Sequence, residues 1–165
     1  MFEEFEEEIE SRTSQGFAWV QPEAFDPSPP RPGTVVLSGF AAGSAKLLPT
    51  HRRTIVTVAN RIRDAVRNLN RAQRLIVEVE GHEDETGDPA HFTELGWARA
   101  IAVEKALKIR LTAVLPAASR PRVRFRLRNQ GPRRPIRSNV TPRGRAMNRR
   151  VEIRWQTVAP RTQIA

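Results

Sequence analysis

The sequence predicts an α/β fold, an α+β sandwich in which two helices pack on one small mixed sheet in the order βαβαββ. Two observations lead to this prediction. Apolar residues recur every three or four positions over residues 50–69 and from about 89 to 110, which is the period of an amphipathic helix. Four shorter segments carry β-branched runs or strict apolar–polar alternation, which is typical of strands. Such an alternating order favours helices layered on a sheet.

The first 33 residues differ from the rest. They begin with an acidic run and continue with "QPEAFDPSPPRPG", whose prolines disfavour regular structure. The run "EEFEEEIE" could form a helix, but its dense like charge opposes one. We therefore predict a flexible head or linker over 1–33, a domain over 34–157 and a short tail over 158–165.

The ordered region is predicted to begin with a strand in "GTVVLSGF" (33–40). The helix over 50–69 follows, and then "RLIVEVEGH" (74–82), an alternating strand that ends at a glycine. The apolar positions of the first helix lie three or four apart: Ile55, Ala59, Ile62, Val66 and Leu69.

The second helix is predicted to present a stripe of Leu95, Ala98, Ala102, Ala106 and Ile109, with Pro116 closing the region. Arg99 interrupts this stripe. An unpaired charge there would be costly, so Arg99 needs an anion, either Asp84, a ligand carboxylate or both. The strand "RVRFRLRN" (122–129) carries an arginine face, and "RRVEIRW" (149–155) is the last strand. The intervening Pro- and Gly-rich segment is predicted to be a loop with a short helical turn near 144–147.

The net charge is +10, and it is unevenly distributed. Six of the eighteen acidic residues lie in the first ten positions, whereas Lys108 to the C-terminus holds sixteen basic residues and one acid, Glu152. This half of the chain would attract polyanions. The aromatic residue of the arginine strand, Phe125, alternates away from the arginines, which argues against a base-stacking surface and hence against specific nucleic-acid binding.

Other classes are disfavoured by what the sequence lacks. It contains no cysteine, no apolar run long enough to span a bilayer and no secretory signal pattern at its start, so the cytoplasm stays open as a compartment. It contains no "GxSxG" and no Walker-type "GK[ST]", so we expect neither an enzyme nor a cofactor. His82, Asp84 and His91 could suggest a metal site, but their spacing fits no recognised zinc pattern, and we expect none.

Four motifs occur in the order of a known family: "GFAAGSAKLLPTHRRTI", "VEVEGHEDETG", "LGWARAIAVEKAL" and "MNRRVEIRW". They resemble the OmpA-like peptidoglycan-binding domain, with its "GHTD", "LS..RA" and "NRRVE" patterns. The likeness covers roughly residues 34 to 157. The resemblance implies a periplasmic or cell-envelope module that binds the diaminopimelate residue of the peptidoglycan stem. Such a module would tether a partner to the cell wall, and the partner would be an unknown protein bound through the head.

The resemblance also implies the site residues. Asp84 of "GHED" would bind the diaminopimelate ammonium, and Arg99 of "GWARA" would bind its carboxylate. Arg149, with Asn148 beside it, would form a supporting wall of the pocket. Glu83 and Thr86 of the same loop complete the candidate ligand-binding set.

The chemistry of these residue types agrees, because a zwitterionic group needs one anionic and one cationic partner, and charge-assisted hydrogen bonds are the strong ones. The alternative for Asp84 and Arg99 is an ion pair that only orders the loop.

Three neighbours depart from the family pattern. Glu83 stands where Thr is usual, Phe92 where Asn is usual, and Gly96 where Ser is usual. Two further hypotheses therefore stand beside wall binding: a diverged interaction subunit of a larger bacterial assembly, and a nonspecific polyanion binder.

Overall fold

The computed structural model of the protein describes residues 30–31, 33–86 and 94–159. Most of the predicted head, most of the tail and the loop segment 87–93 lie outside these ranges. Expectations that concern His91, Phe92 or a helix start at Pro89 therefore lie outside the described residues.

The predicted order βαβαββ is confirmed, with one short helix added between the last two strands, where the helical turn was predicted. Pro116 does end the second helical region, and a 3₁₀ helix, Ala117–Arg122, follows it. The elements are β1 (Val35–Ser38), α1 (Pro49–Arg67), β2 (Arg74–His82), α2 (Glu94–Val114), β3 (Val123–Gly131), α3 (Pro142–Asn148) and β4 (Arg150–Val158). No helix among them combines the length and the apolar composition that crossing a membrane requires.

The strands form one mixed sheet in the order β1-β4-β2-β3. β2 is parallel to β3 and antiparallel to β4, and β1 is antiparallel to β4. Alternation along β2 sends Leu75, Val77 and Val79 into the core beneath α1 and α2. The opposite face of β2 carries Glu78, Glu80 and His82. One face of this strand is therefore apolar, and the other carries ionisable side chains.

The buried face of α2 differs from the predicted stripe by about one position. It consists of Gly96, Arg99, Ala100, Val103, Leu107 and Leu111, whereas Ile109 is 69% exposed. The helix is rich in alanine and aliphatic residues on several sides, so spacing alone does not select the face that packs. Arg99 lies on this buried face, among residues that are otherwise apolar or glycine.

Candidate functional site

The candidate site lies where four segments meet at one end of the sheet. They are the loop after β1 (40–46), the chain from the end of β2 to Thr86, the first turns of α2, and the end of α3 with Arg149, which precedes β4. The sequence brings them together because β4 runs antiparallel to both β1 and β2, which places its start beside their ends. All six predicted site residues fall in or beside this junction.

Asp84 is buried, and both of its carboxylate oxygens have partners. Oδ1 accepts hydrogen bonds from the hydroxyl of Thr86 at 2.7 Å and from its backbone N–H at 3.3 Å. Oδ2 lies 2.5 Å from Nη1 of Arg149. Burial alone would raise the pKa of Asp84, but the bonds from Thr86 and Arg149 outweigh it and lower the pKa. The site therefore holds an ionised carboxylate at neutral pH.

Arg99 is 1% exposed, and its hydrogen bonds go to backbone carbonyls. Nε donates to Ser44 at 2.9 Å, Nη1 to His82 at 3.2 Å and Nη2 to Ala41 at 3.3 Å. Burial lowers the pKa of Arg99, and the negative charges of Glu83 and Asp84 partly offset this.

The alternative in which Asp84 and Arg99 pair directly is not what the described residues show, because Arg99 donates to carbonyls. Arg149 takes the carboxylate of Asp84, because its position before β4 puts its guanidinium beside that loop, while Nε of Arg149 donates to the carbonyl of Phe40 at 2.6 Å. Arg99 instead ties the loop 40–46 to the end of β2.

Glu83 and Gly96, two of the departures from the family pattern, contact each other. The Oε1 atom of Glu83 accepts a hydrogen bond from the N–H of Gly96 at 2.7 Å, which satisfies a donor in the first turn of α2. A Cβ atom at position 96 would lie 2.1 Å from the side-chain oxygen of Asn129. Gly81 has an equally close neighbour, since a Cβ there would lie 1.9 Å from the carbonyl oxygen of Gly96. The helix start thus packs directly against the end of β2, and burial raises the pKa of Glu83 in this contact.

Asn148 holds a loop rather than facing Asp84. Its Oδ1 accepts from the N–H groups of Ile136 and Arg137 at 2.9 and 3.0 Å. Its Nδ2 donates to the carbonyl of Arg137 at 2.6 Å and to Oδ1 of Asn139 at 2.7 Å. With its amide used in this way, Asn148 can shape the site through the chain that leads to Arg149.

A second polar cluster, which sequence reasoning missed, is buried beside Arg134 of the loop after β3. Nε2 of His82 is 3.2 Å from Glu80 and 3.5 Å from Glu152. The contact with His82 is the largest cause that lowers the pKa of Glu80, to about 2.

Glu80, His82 and Glu152 offer three ligand-type atoms within 4.8 Å of one another, which is the one metal-type arrangement in the part of the chain described. Arg150 binds Glu152 at 2.7 Å, and Arg134 lies 3.5 Å from Glu80. Because each carboxylate already has an arginine, we interpret the cluster as an internal ion-pair network. Only the alternation of β2 and β4 could have placed these residues on one face.

The OmpA family model matches residues 39–149 of this chain. The probable lipoprotein YiaD of Escherichia coli (strain K12) is 34% identical over 114 residues, which cover 69% of this chain and 45% of that protein. The chain thus spans less than half the length of this relative.

Solved structures of similar fold include the C-terminal domain of Helicobacter pylori MotB, with a TM-score of 0.55 at 26% identity, covering 76% of this chain and 86% of that one. The peptidoglycan-associated lipoprotein from Burkholderia pseudomallei also has a TM-score of 0.55, at 20% identity, and covers 72% of this chain and 88% of that one. At that identity the second likeness shows the fold alone.

Proposed function

Because the chain belongs to the OmpA family, we propose that it is a noncatalytic module that binds the diaminopimelate-containing peptide stem of peptidoglycan and tethers a partner to the cell wall. The observation that carries the proposal is the ionised carboxylate of Asp84, held in place by Thr86 and Arg149 beside the buried guanidinium of Arg99. A zwitterionic side chain is recognised by such a pair of opposite charges. The relative described as a lipoprotein supports a location in the cell envelope.

The proposed roles follow from the contacts. Asp84 accepts the ligand ammonium, while Arg149 and Thr86 keep its oxygens oriented. Arg99 receives the ligand carboxylate in exchange for the carbonyl of Ala41 or Ser44, so the loop 40–46 must shift when the ligand enters. Glu83 fixes the first turn of α2 through Gly96, and Asn148 acts at a distance by holding the segment 136–139.

Co-sedimentation with insoluble peptidoglycan tests this function. The full chain should pellet with diaminopimelate-type peptidoglycan and remain in the supernatant with lysine-type peptidoglycan, whose stem lacks the second carboxylate. Asp84→Asn and Arg99→Ala should abolish pelleting. Matched controls are Asp64→Asn and Arg53→Ala on the exposed side of α1, which should pellet like the parent.

A thermal melt of each variant tests whether it is folded. If Arg99→Ala does not fold, the result is decided by Asp84→Asn. Wall binding is excluded if the parent chain stays in the supernatant with both polymers, or if Asp84→Asn pellets as well as the parent.

The second candidate function is an interaction subunit of a larger assembly that does not bind the wall. Glu83 favours it, since its carboxylate adds a negative charge beside Asp84, where the family pattern has threonine. This candidate predicts no pelleting with either polymer, together with loss of copurifying proteins when residues 1–33 are deleted. An unchanged set of copurifying proteins would count against it.

A further inference from the structure

The edge strand β3 has two different faces, one with arginines and one with apolar side chains. It is the last strand in the order β1-β4-β2-β3, and among the described residues it pairs only with β2. Its arginines at 124, 126 and 128 are exposed on one face, and Val123, Phe125 and Leu127 are half-buried on the other. An unpaired strand edge is a template for another strand.

The arginine side of this edge carries excess positive charge. Next to this edge, Glu78 is the carboxylate that the arginines contact: Arg128 at 3.1 Å, Arg154 and, from the start of the described chain, Arg31 at 3.9 Å. The other two carboxylates of the face, Glu80 and Glu152, are bound by Arg134 and Arg150. Arg124 and Arg126 have no carboxylate partner within the described residues. A row of alternate strand residues repeats at about 6.6 Å, so this face is suited to a row of acids with the same repeat.

The helix side of the same edge is apolar. A groove of about 280 Å³ runs between β3 and the C-terminal half of α2, and Leu111, Leu115 and Phe125 are among the residues that line it. Lys108 stands at this groove with its ammonium 5.1 Å from the centre of the Phe125 ring. A strand added to β3 would place every second side chain in this groove.

The chain itself contains a segment with the complementary alternation. Residues 4–10 read Glu-Phe-Glu-Glu-Glu-Ile-Glu, so the even positions are all glutamate and the odd positions include Phe5 and Ile9. In an extended strand the even residues would lie on one face and the odd residues on the other. Opposite charges and apolar side chains facing each other across strands are the pairs that stabilise a sheet.

We propose that residues 4–10 pair with the edge of β3 as a fifth strand, with their even-numbered glutamates against the arginines and with Phe5 and Ile9 in the groove. The contact of Arg31 with Glu78 already brings the described chain across β2, which neighbours β3. The twenty residues between Glu10 and Arg31 would span roughly 25 Å as a flexible linker, whereas neighbouring strands are about 4.8 Å apart. The edge therefore lies within reach of this segment.

A spin label tests the proposal on the full chain. Since the protein has no cysteine, Ser11→Cys provides one attachment point next to the segment. We expect selective broadening of the amide NMR signals of β3 compared with those of α1. Replacing Arg124, Arg126 and Arg128 by Glu should abolish the broadening, and adding Glu4→Arg, Glu6→Arg and Glu8→Arg to that variant should restore it.

The matched control makes the same charge change on α1, at the exposed residues Arg52, Arg53 and Arg61, and should keep the broadening of β3. Phe5→Ala with Ile9→Ala should reduce it, because the apolar half of the contact is removed. Unselective broadening, equal loss in the α1 control, or no effect of the Phe5 and Ile9 changes would overturn the proposal. So would broadening that appears only when labelled and ¹⁵N-enriched molecules are mixed, since the occupant would then be a second copy.

Discussion

Asp84 and Arg149, which are 65 positions apart in the chain, form the closest charge contact of the candidate site, with Oδ2 and Nη1 separated by 2.5 Å. Arg149 also binds the carbonyl of Phe40, so one guanidinium connects the end of β1 to the loop after β2. The ion pair is largely shielded from water, with side-chain exposures of 14% and 6%. Arg149 therefore acts together with Thr86 to set the position and charge of the carboxylate.

Arg149→Ala should destabilise the fold and impair wall binding at the same time. Asp84 would remain buried with one oxygen unpaired, and a lost hydrogen bond to a charged group costs about 1.5 to 3 kcal/mol. The loss of the arginine should also raise the pKa of Asp84 toward its usual value. Urea unfolding measures the first effect and co-sedimentation the second.

Arg143→Ala, an exposed arginine of α3, provides the control and should leave both quantities unchanged. A double-mutant cycle with Asp84→Asn isolates the pair, and we expect a coupling energy of about 0.5 to 3 kcal/mol. A coupling near zero would mean that the two side chains act independently.

The family motifs located the site, but they did not reveal which groups touch. Alternation predicted a strand over 122–129, close to the observed Val123–Gly131, and it predicted the arginine face, because side chains of a half-buried strand alternate between its two faces. The partner of Asp84 depends on how the start of β4 lies against two other segments, which no local pattern encodes. The buried face of α2 was missed for another reason: alanine suits either side of a helix, and the decisive contacts involve the two glycines 81 and 96.

Gly81→Ala should destabilise the protein more than Gly96→Ala. At position 81 the new methyl group would meet the backbone carbonyl of Gly96 at 1.9 Å, which cannot move without shifting α2. At position 96 it would meet the side chain of Asn129 at 2.1 Å, which can rotate. Overpacking of this kind costs about 1 to 3 kcal/mol. The measurement is the urea midpoint of each variant.

Lys105→Ala, at an exposed position of α2, serves as the reference and should be nearly neutral. Adding Asn129→Ala to Gly96→Ala should recover part of the loss. Equal losses for the two glycine variants would contradict the close backbone approach of α2 to β2.

Acid should destabilise the protein, with Glu80 as one source of the loss. Its pKa falls from the usual 4.5 to about 2 in the folded state, mainly through His82. A group with a depressed folded pKa contributes stability above its unfolded pKa, and that stability is lost as the pH falls toward the folded value. The free energy of unfolding should therefore decrease from pH 4.5 to about 2, and Glu80→Gln should flatten this part of the curve. An unchanged slope in the variant would rule out Glu80 as the source.

The burial of the network around Glu80 could not be predicted from the sequence. Glu80 and Glu152 occupy polar positions between the apolar residues of "RLIVEVEGH" and "RRVEIRW", and such positions usually face water. Here both carboxylates are buried, and Arg134 of the loop after β3 lies 3.5 Å from Glu80 while its carbonyl accepts a hydrogen bond from Arg150 at 2.9 Å. A proline-rich loop carries no periodic signal that would indicate which face it covers.

Glu83 should give the opposite pH dependence to Glu80. Burial raises its pKa above 4.5, so the folded state binds a proton more readily than the unfolded state. The sign follows from linkage: stability increases as the pH falls through the raised pKa and levels off near the unfolded value. Glu83→Gln keeps an oxygen for the N–H of Gly96 but removes the titration. The difference in unfolding free energy between parent and variant should therefore change with pH above 4.5, whereas the effect of Glu80 lies below it. Parallel stability curves for the parent and Glu83→Gln would show that this carboxylate does not titrate differently in the folded chain.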